Sequence, residues 1–120
     1  TDDAFVLGAW APELVGTVGF FRQSGQKARH KGMIWGMYVA PEARGQGLGR
    51  ALLAETLARA AAVPGIELIQ LNVVTTNTAA HALYLSLGFT VYGTERHALK
   101  LGDRYVDEEL MALTVQSPTS

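Results

Sequence analysis

The chain has 120 residues, with 10 Lys and Arg, 11 Asp and Glu, and a formal net charge of −1 at pH 7. This length suits one compact domain, and the near-neutral charge gives no indication of nucleic acid or an anionic membrane as a partner. Because the sequence has no cysteine, it excludes a disulfide framework, a cysteine-based zinc site and a thiol nucleophile.

Three apolar or β-rich segments make up the first third of the chain, at residues 4–10, 14–22 and 32–39. Turn-forming residues lie in the connections between them, Pro12 in the first and Gly25 in the second. Strands with short connections favour antiparallel pairing between neighbours. The sequence therefore predicts a three-stranded meander.

The hydrophobic period changes after Pro41. Leucine and alanine residues then recur at helical spacing and predict a helix over residues 48–63, which Pro64-Gly65 ends. Residues 67–74 follow as an apolar strand. A strand, a helix and a strand in this order predict a right-handed parallel crossover.

A second helix is predicted over residues 78–87, with Asn77 as its N-cap and Gly88 as the left-handed residue after it. Residues 89–100 and 105–115 are predicted as two further strands joined by a hairpin turn. The fold class is therefore mixed α/β (α+β), with a mostly antiparallel sheet that contains a central parallel strand pair.

The connection between the third strand and the first helix is rich in glycine and arginine: Arg44, Gly45, Gln46, Gly47, Leu48, Gly49 and Arg50. A helix N-terminus presents free amides and the positive end of the dipole, glycine allows close approach to the backbone, and arginine grips phosphate. The stretch therefore predicts a phosphate or pyrophosphate site. A lone glycine-rich loop is more often only a tight connection between two elements. The spacing of this stretch matches neither a P-loop nor the dinucleotide fingerprint.

A second pattern runs along the second helix and comprises Asn77, Ala80, Leu83, Tyr84, Leu87, Gly88 and Phe89. Alone, Asn77 is typical of an N-cap and Tyr84 of a core tyrosine. Together with the loop, the pattern resembles the GNAT family of acyl-CoA-dependent N-acetyltransferases. The loop looks like the family's R/Q-x-x-G-x-G/A pyrophosphate motif, and the helix looks like its N-x-x-A-x-x-L-Y-x-x-x-G-F segment. The resemblance spans residues 4–115.

The resemblance implies the GNAT fold with a splayed parallel strand pair, acetyl-CoA as co-substrate and no metal. It assigns cofactor binding to Met37, Tyr38, Val39, Arg44, Gly45, Gln46, Gly47, Leu48, Gly49, Arg50, Asn77, Ala80 and Tyr84. The backbone of Met37 and Val39 would bind the pantetheine arm, and the amides of residues 44–50 would hold the pyrophosphate. Tyr84 is the expected catalytic residue and would protonate the departing thiolate. An amine would attack the thioester directly, with backbone N–H groups near Val39 available for the oxyanion.

One departure from the family concerns the general base. Some members, such as the ribosomal-protein N-terminal acetyltransferases, place a glutamate where this sequence has Asn72, which cannot take up a proton. The base is therefore unassigned, and the candidates by composition are Glu95, His97, Asp107, Glu108 and Glu109. A non-catalytic CoA-binding or sensing module is the alternative interpretation, and a nucleotide-phosphate binder is the third.

The second departure is that family members usually begin with a strand and one or two helices, whereas this sequence starts about where their second strand does. Either the chain is a natural short form or an upstream segment is absent from it. We therefore expect an exposed sheet edge, which favours a homodimer. We expect one domain over residues 1–115 with a flexible tail over 116–120, and a small-molecule or peptide amine as acceptor. Nucleic acid and membrane partners are not expected, and the lack of cysteine and of an apolar run of about 20 residues predicts a cytoplasmic protein. The basic run over residues 27–31 is expected to be a solvated loop, with the 3′-phosphate of CoA or an acidic acceptor as its alternative partner.

Overall fold

The computed structural model describes residues 3–10 and 12–115. This part of the chain forms six strands: β1 Ala4–Trp10, β2 Leu14–Arg22, β3 Lys31–Val39, β4 Leu68–Val74, β5 Thr90–Leu101 and β6 Arg104–Thr114. It also forms two helices, α1 Leu48–Ala61 and α2 Thr78–Ser86. Each element lies within about two residues of its predicted bounds. The expected flexible tail over residues 116–120 lies outside the described residues.

The six strands form one sheet in the order β1-β2-β3-β4-β6-β5. The pairs β1–β2, β2–β3, β4–β6 and β5–β6 are antiparallel, whereas β3–β4 is parallel. The predicted mixed sheet with a central parallel pair is therefore confirmed. The hairpin between β5 and β6 is tighter than predicted, because Leu101 already pairs with Arg104 and only two residues form the turn.

The central parallel pair separates soon after it begins. Strands β3 and β4 pair at Lys31 with Leu68, Gly32 with Ile69 and Met33 with Gln70. Beyond this point β3 stays paired with β2 as far as Val39, and β4 stays paired with β6 as far as Val74. Within the described residues the sheet therefore divides into two halves that diverge and leave a gap. The facing edges of β3 and β4 in this gap have no strand partner.

A β-bulge at Gly36 changes which side chains of β3 face the core. Gly19 pairs with Trp35 and Thr17 pairs with Tyr38, so β3 has one residue more than β2 over this interval. Gly36 occupies that interval with φ of 63°, a backbone conformation that glycine adopts without strain. Its carbonyl accepts a hydrogen bond of 3.1 Å from the Thr17 hydroxyl.

The extra residue reverses the alternation of side chains along β3. Ile34 lies in the core before the bulge, and Met37 packs against the same core after it, although strict alternation would place them on opposite faces. A Cβ atom added to Gly49 at the start of α1 would lie 3.3 Å from the Met37 Cε. The bulge therefore brings the end of β3 against the N-terminus of α1.

Both helices pack on one face of the sheet. Their buried side chains join one core cluster with residues from β2, β3, β4 and β6, including Phe20, Leu53, Ile69, Tyr84 and Met111. The opposite face carries no helix in the described part of the chain and leaves large apolar side chains in solvent, among them Val6, Phe21 and Trp35. We refer to this surface as the helix-free face.

We expect Leu53→Ala to destabilise the fold by about 2–5 kcal/mol, because Leu53 is fully buried in the core and its loss leaves a cavity. Urea denaturation would measure this change as a lower transition midpoint. Leu101→Ala is the matched control, since Leu101 is 52% exposed and its loss should cost about 0.5 kcal/mol or less. Equal midpoints for the two variants would contradict the described core.

No helix in residues 3–10 and 12–115 is both long and apolar enough to cross a membrane. The same residues contain no group of three or more His, Asp or Glu side chains that could hold a metal ion.

Candidate active site

The N-terminus of α1 is open to ligands. Gly47 is its N-cap, with φ of 78°, and no side chain caps the helix by a hydrogen bond. The first turn has no acidic residue. A Cβ atom added at Gly45 or Gly47 would have no neighbour within 4 Å, so both glycines border empty space. The first amides of α1 and the positive end of its dipole therefore face a space that suits an anion.

Two arginines flank this N-terminus, and each is oriented by one hydrogen bond. The Arg44 Nε donates to the Val39 carbonyl at 2.9 Å. The Arg50 Nη1 donates to the Ser86 hydroxyl on α2 at 2.7 Å. A guanidinium has five N–H groups, so each arginine keeps donors for a phosphate. The Val39 carbonyl also keeps a second lone pair for another donor.

A cavity of 670 Å³ extends from this N-terminus between the end of β3 and α2. We call it the main cavity. Its lining includes every cofactor-binding residue predicted from the sequence except Gln46: Met37, Tyr38, Val39, Arg44, Gly45, Gly47, Leu48, Gly49, Arg50, Asn77, Ala80 and Tyr84. Gln46 lines a neighbouring cavity of 390 Å³ instead, together with Trp10 and Glu42.

Three further residues line the main cavity: Ala43, Ala79 and Leu83. Leu83 belongs to the sequence motif of the second helix, but it was not among the predicted cofactor-binding residues. Alanine has no functional group that would mark Ala43 and Ala79 in the sequence as residues of the site. Only their position in the structure shows that they line the cavity.

Asn77 caps α2 and borders the main cavity at the same time. Its Oδ1 accepts a hydrogen bond of 3.2 Å from the Ala80 amide, as an N-cap does. The amide nitrogen of the side chain has no partner among the described residues. Asn77 can therefore stabilise the helix and still donate a hydrogen bond to a ligand.

Tyr84 lies deep in the site, on α2. The residue is only 6% exposed, and its ring makes an edge contact with Phe89 at 6.0 Å between centroids. Within the described residues its hydroxyl has no hydrogen-bond partner. Burial raises the pKa of the Tyr84 phenol above its ordinary value of 10.0, because desolvation disfavours the phenolate. The phenol therefore holds its proton at neutral pH and is available as a proton donor.

A second cavity of 250 Å³ occupies the gap between β3 and β4. We call it the gap cavity. It shares Met37, Asn77, Ala80 and Tyr84 with the main cavity. The two cavities therefore meet at the Tyr84 side chain.

The candidate bases lie in different surroundings. Glu108 lines the gap cavity, as does Asn72. The Glu109 Oε1 lies 2.6 Å from His81 Nδ1 of α2. Asp107 Oδ1 accepts a hydrogen bond from the His97 amide at 2.8 Å.

Glu95 and His97 lie on β5 and are both exposed. The His97 ring stacks on Tyr105 at 4.7 Å between centroids, and neither Glu95 nor His97 lines the main or the gap cavity. Among the five candidates, Glu108 alone reaches the site in the described structure.

The basic run over residues 27–31 lies far from the glycine-rich loop. It precedes β3, which begins at Lys31, whereas the loop follows β3, which ends at Val39. A strand of this length separates its ends by about 26 Å at a rise of about 3.3 Å per residue. Arg29 in this run lies 3.9 Å from the carboxylate of Asp3. The structure therefore does not bring the basic run to the main cavity, and it gives no support to a contact between this run and the phosphates of CoA.

The split sheet and the open helix N-terminus suit a long ligand that lies between the diverging strands and carries phosphates at one end. The family model of the Acetyltransferase (GNAT) family matches residues 1–89. The chain belongs to this family.

Solved structures with the same fold include an acetyltransferase of the GNAT family from Streptococcus pneumoniae, at 26% identity and a TM-score of 0.89 over 96% of this chain and 69% of that one. Ribosomal-protein-alanine N-acetyltransferase from Brucella melitensis is 29% identical, with a TM-score of 0.82 over 92% of this chain and 68% of that one. A protein from Salmonella typhimurium, proposed to be an acetyltransferase and solved with its cofactor acetyl-CoA, is 26% identical, with a TM-score of 0.84 over 96% of this chain and 66% of that one.

Proposed function

We propose that the protein transfers an acetyl group from acetyl-CoA to a primary amine by direct attack in a ternary complex. One observation carries this proposal: the main cavity extends from the uncapped N-terminus of α1, along the unpaired edge of β3, to Tyr84. This path offers donors for phosphates at one end and a proton donor at the other. Membership of the GNAT family and the acetyl-CoA bound to the Salmonella typhimurium protein support the same cofactor here.

The proposed cofactor site uses the backbone more than side chains. Amides of residues 44–50 hold the pyrophosphate, assisted by the remaining N–H groups of Arg44 and Arg50. The free edge of β3 at Met37 and Val39 hydrogen-bonds the pantetheine arm as a neighbouring strand would. Asn77 donates to the arm from α2.

The proposed chemistry needs few groups from the protein. The site holds the amine beside the thioester, which removes most of the entropic cost of bringing two reactants together. Backbone N–H groups near Tyr38 and Val39 stabilise the oxyanion of the tetrahedral intermediate. The amine loses one proton, directly or through water, before it attacks. As the carbon–sulfur bond breaks, the Tyr84 phenol gives its proton to the thiolate and is reprotonated from solvent. This order of events requires Tyr84 to be protonated, as its raised pKa ensures.

The test is release of free thiol from acetyl-CoA in the presence of a broad panel of amines. The proposal predicts amine-dependent thiol release and an acetylated product identified by mass spectrometry. If calorimetry shows that CoA binds but no amine causes thiol release, the result would support the non-catalytic CoA-binding module instead. Asn72 favours this alternative, because some family members have a glutamate base at its position. Tighter binding of ATP than of acetyl-CoA would support the nucleotide-phosphate binder.

Two further predictions accompany this function. We propose that residues 1–115 act as one domain, since the described part forms one sheet with one main core. We also propose a homodimer, because β1 lies at one edge of the described sheet and edge strands favour pairing with another chain. Analytical ultracentrifugation would show a dimer if this is right and a monomer if it is wrong.

A further inference from the structure

Arg50 joins the two helices that border the main cavity. It is the third residue of α1, and its guanidinium reaches α2, where Nη1 donates to the hydroxyl of Ser86 at 2.7 Å. Ser86 is the last residue of α2. Arg50 lines the main cavity, whereas Ser86 does not. Ser86 therefore supports a residue of the site from outside the cavity.

The hydroxyl of Ser86 is oriented to accept this hydrogen bond. Its Oγ donates to the carbonyl of Leu83 at 2.7 Å, so the hydroxyl proton is already used by that carbonyl. The lone pairs of the oxygen remain for the guanidinium of Arg50. Because hydrogen bonds in a chain polarise one another, each of the two bonds strengthens the other. The guanidinium is therefore held by a fixed acceptor and not by a freely rotating hydroxyl.

The positive charge of Arg50 is not compensated by a carboxylate. None of the ion pairs among the described residues includes Arg50. A cation in the first turn of a helix opposes the helix dipole, but the C-terminal end of a helix favours one, and α2 has no basic residue in its own last turn. The bond to Ser86 therefore keeps an unpaired positive charge beside the N-terminus of α1, where an anion can neutralise it.

An arginine that is ordered before the ligand arrives lowers the cost of binding. Arg50 is exposed, and an exposed arginine has many rotamers that a ligand must otherwise fix at an entropic cost. One N–H group of the guanidinium is used by Ser86, and four remain. The side chain can therefore bind phosphate oxygens while it stays bonded to Ser86.

We propose that Ser86 is a positioning residue for the cofactor: it holds Arg50 against the pyrophosphate of acetyl-CoA and so raises the affinity of the site for that group. This inference rests on the proposed acetyl transfer and adds a residue that lies outside the lining of the main cavity. Ser86 acts through Arg50, so its effect extends only to ligands that carry the pyrophosphate.

Three ligands test this role: CoA, dephospho-CoA, which lacks only the phosphate on the ribose, and pantetheine, which lacks the pyrophosphate as well. Ser86→Ala should weaken the binding of CoA and of dephospho-CoA by about fivefold each, the scale of one hydrogen bond. Calorimetric titration measures both affinities. The affinity for pantetheine, measured by NMR titration, should stay within about twofold of the wild type.

Further variants separate this role from a general loosening of α2. Alanine is a better helix former than serine, so Ser86→Ala should keep the wild-type midpoint of thermal unfolding. Ser86→Thr keeps the hydroxyl and should bind CoA within about twofold of the wild type. Ser24→Ala is the matched control, since Ser24 is exposed in the loop between β2 and β3 and lines neither cavity. In Arg50→Ala, which already lacks the guanidinium, the added Ser86→Ala change should cost no further affinity for CoA.

Each outcome bears on the inference. Unchanged affinity of Ser86→Ala for CoA overturns it, and so does tighter binding, which would show that Ser86 competes with the phosphates for Arg50. An equal loss for all three ligands also overturns it, because the change would then act on α2 as a whole. A loss for CoA but not for dephospho-CoA contradicts the contact with the pyrophosphate.

The same measurements distinguish the inference from the proposed function. If the wild type does not bind CoA, the proposed function fails and the inference fails with it. If CoA and its fragments bind in the predicted pattern but no amine is acetylated, the inference holds and only the proposed transfer is overturned.

Discussion

Gly47→Val is expected to weaken the binding of acetyl-CoA by about tenfold to a hundredfold, which corresponds to about 1.4–2.8 kcal/mol. Gly47 has a left-handed backbone conformation with φ of 78° and borders the main cavity. A Cβ atom there meets no protein atom within 4 Å, so the valine side chain would extend into the space assigned to the pyrophosphate. Calorimetric titration with acetyl-CoA measures the effect.

The chain offers a close control for the backbone strain in this variant. Gly25 has φ of 90° and likewise has no neighbour within 4 Å of an added Cβ, but it lies in the loop between β2 and β3, away from the main cavity. Both valine variants should lose about 1–2 kcal/mol of stability because a left-handed conformation is costly for any residue with a Cβ. Gly25→Val should bind acetyl-CoA as the wild type does. Wild-type affinity in Gly47→Val would show that the loop does not hold the cofactor.

Tyr84→Phe is expected to lower kcat by about a hundredfold, at the low end of the range for general acid catalysis. The low end applies because a thiol with a pKa of about 8.5 leaves more readily than an alkoxide does. Phenylalanine keeps the aromatic contact with Phe89, so the fold and the affinity for acetyl-CoA should be nearly unchanged. Pre-steady-state and steady-state thiol release would measure the loss.

The pH dependence provides a second measurement on the same variant. Because burial raises the pKa of Tyr84 above its ordinary value of 10.0, loss of its proton should not reduce the wild-type rate at neutral pH, and any alkaline decrease that it causes should come at higher pH than for an exposed tyrosine. Tyr105→Phe is the control, since Tyr105 is exposed, lines neither cavity and keeps its ring. Turnover in Tyr84→Phe equal to that of the control would exclude Tyr84 as the proton donor.

The order and type of the elements could be predicted because local signals mark them. Pro41 follows the third strand, which ends at Val39, Pro64-Gly65 follows the first helix, which ends at Ala61, and Asn77 caps the second helix. Most of the lining of the main cavity was also predictable, since it consists of one continuous loop, the end of β3 and one face of a helix. These residues are close in sequence, so local spacing places them together.

Features that depend on strand register were not predictable. Residues 31–39 look like one uninterrupted strand, and nothing local shows that Gly36 forms a bulge which turns Met37 towards the core. Gln46 lies between two glycines with φ near 80°, and this backbone carries its side chain to a different cavity. Glu108 could not be separated from its acidic neighbours either, because its place in the lining of the gap cavity depends on the strand register and on the gap between distant strands.

An NMR titration that resolves the backbone amides, with coenzyme A as ligand, tests whether the start of α1 holds the pyrophosphate. If it does, the largest chemical-shift changes should fall on the amides of residues 44–50 and on the unpaired edge of β3 from Met37 to Val39. Changes confined to other parts of the sheet, with the amides at the start of α1 unaffected at saturation, would contradict this assignment.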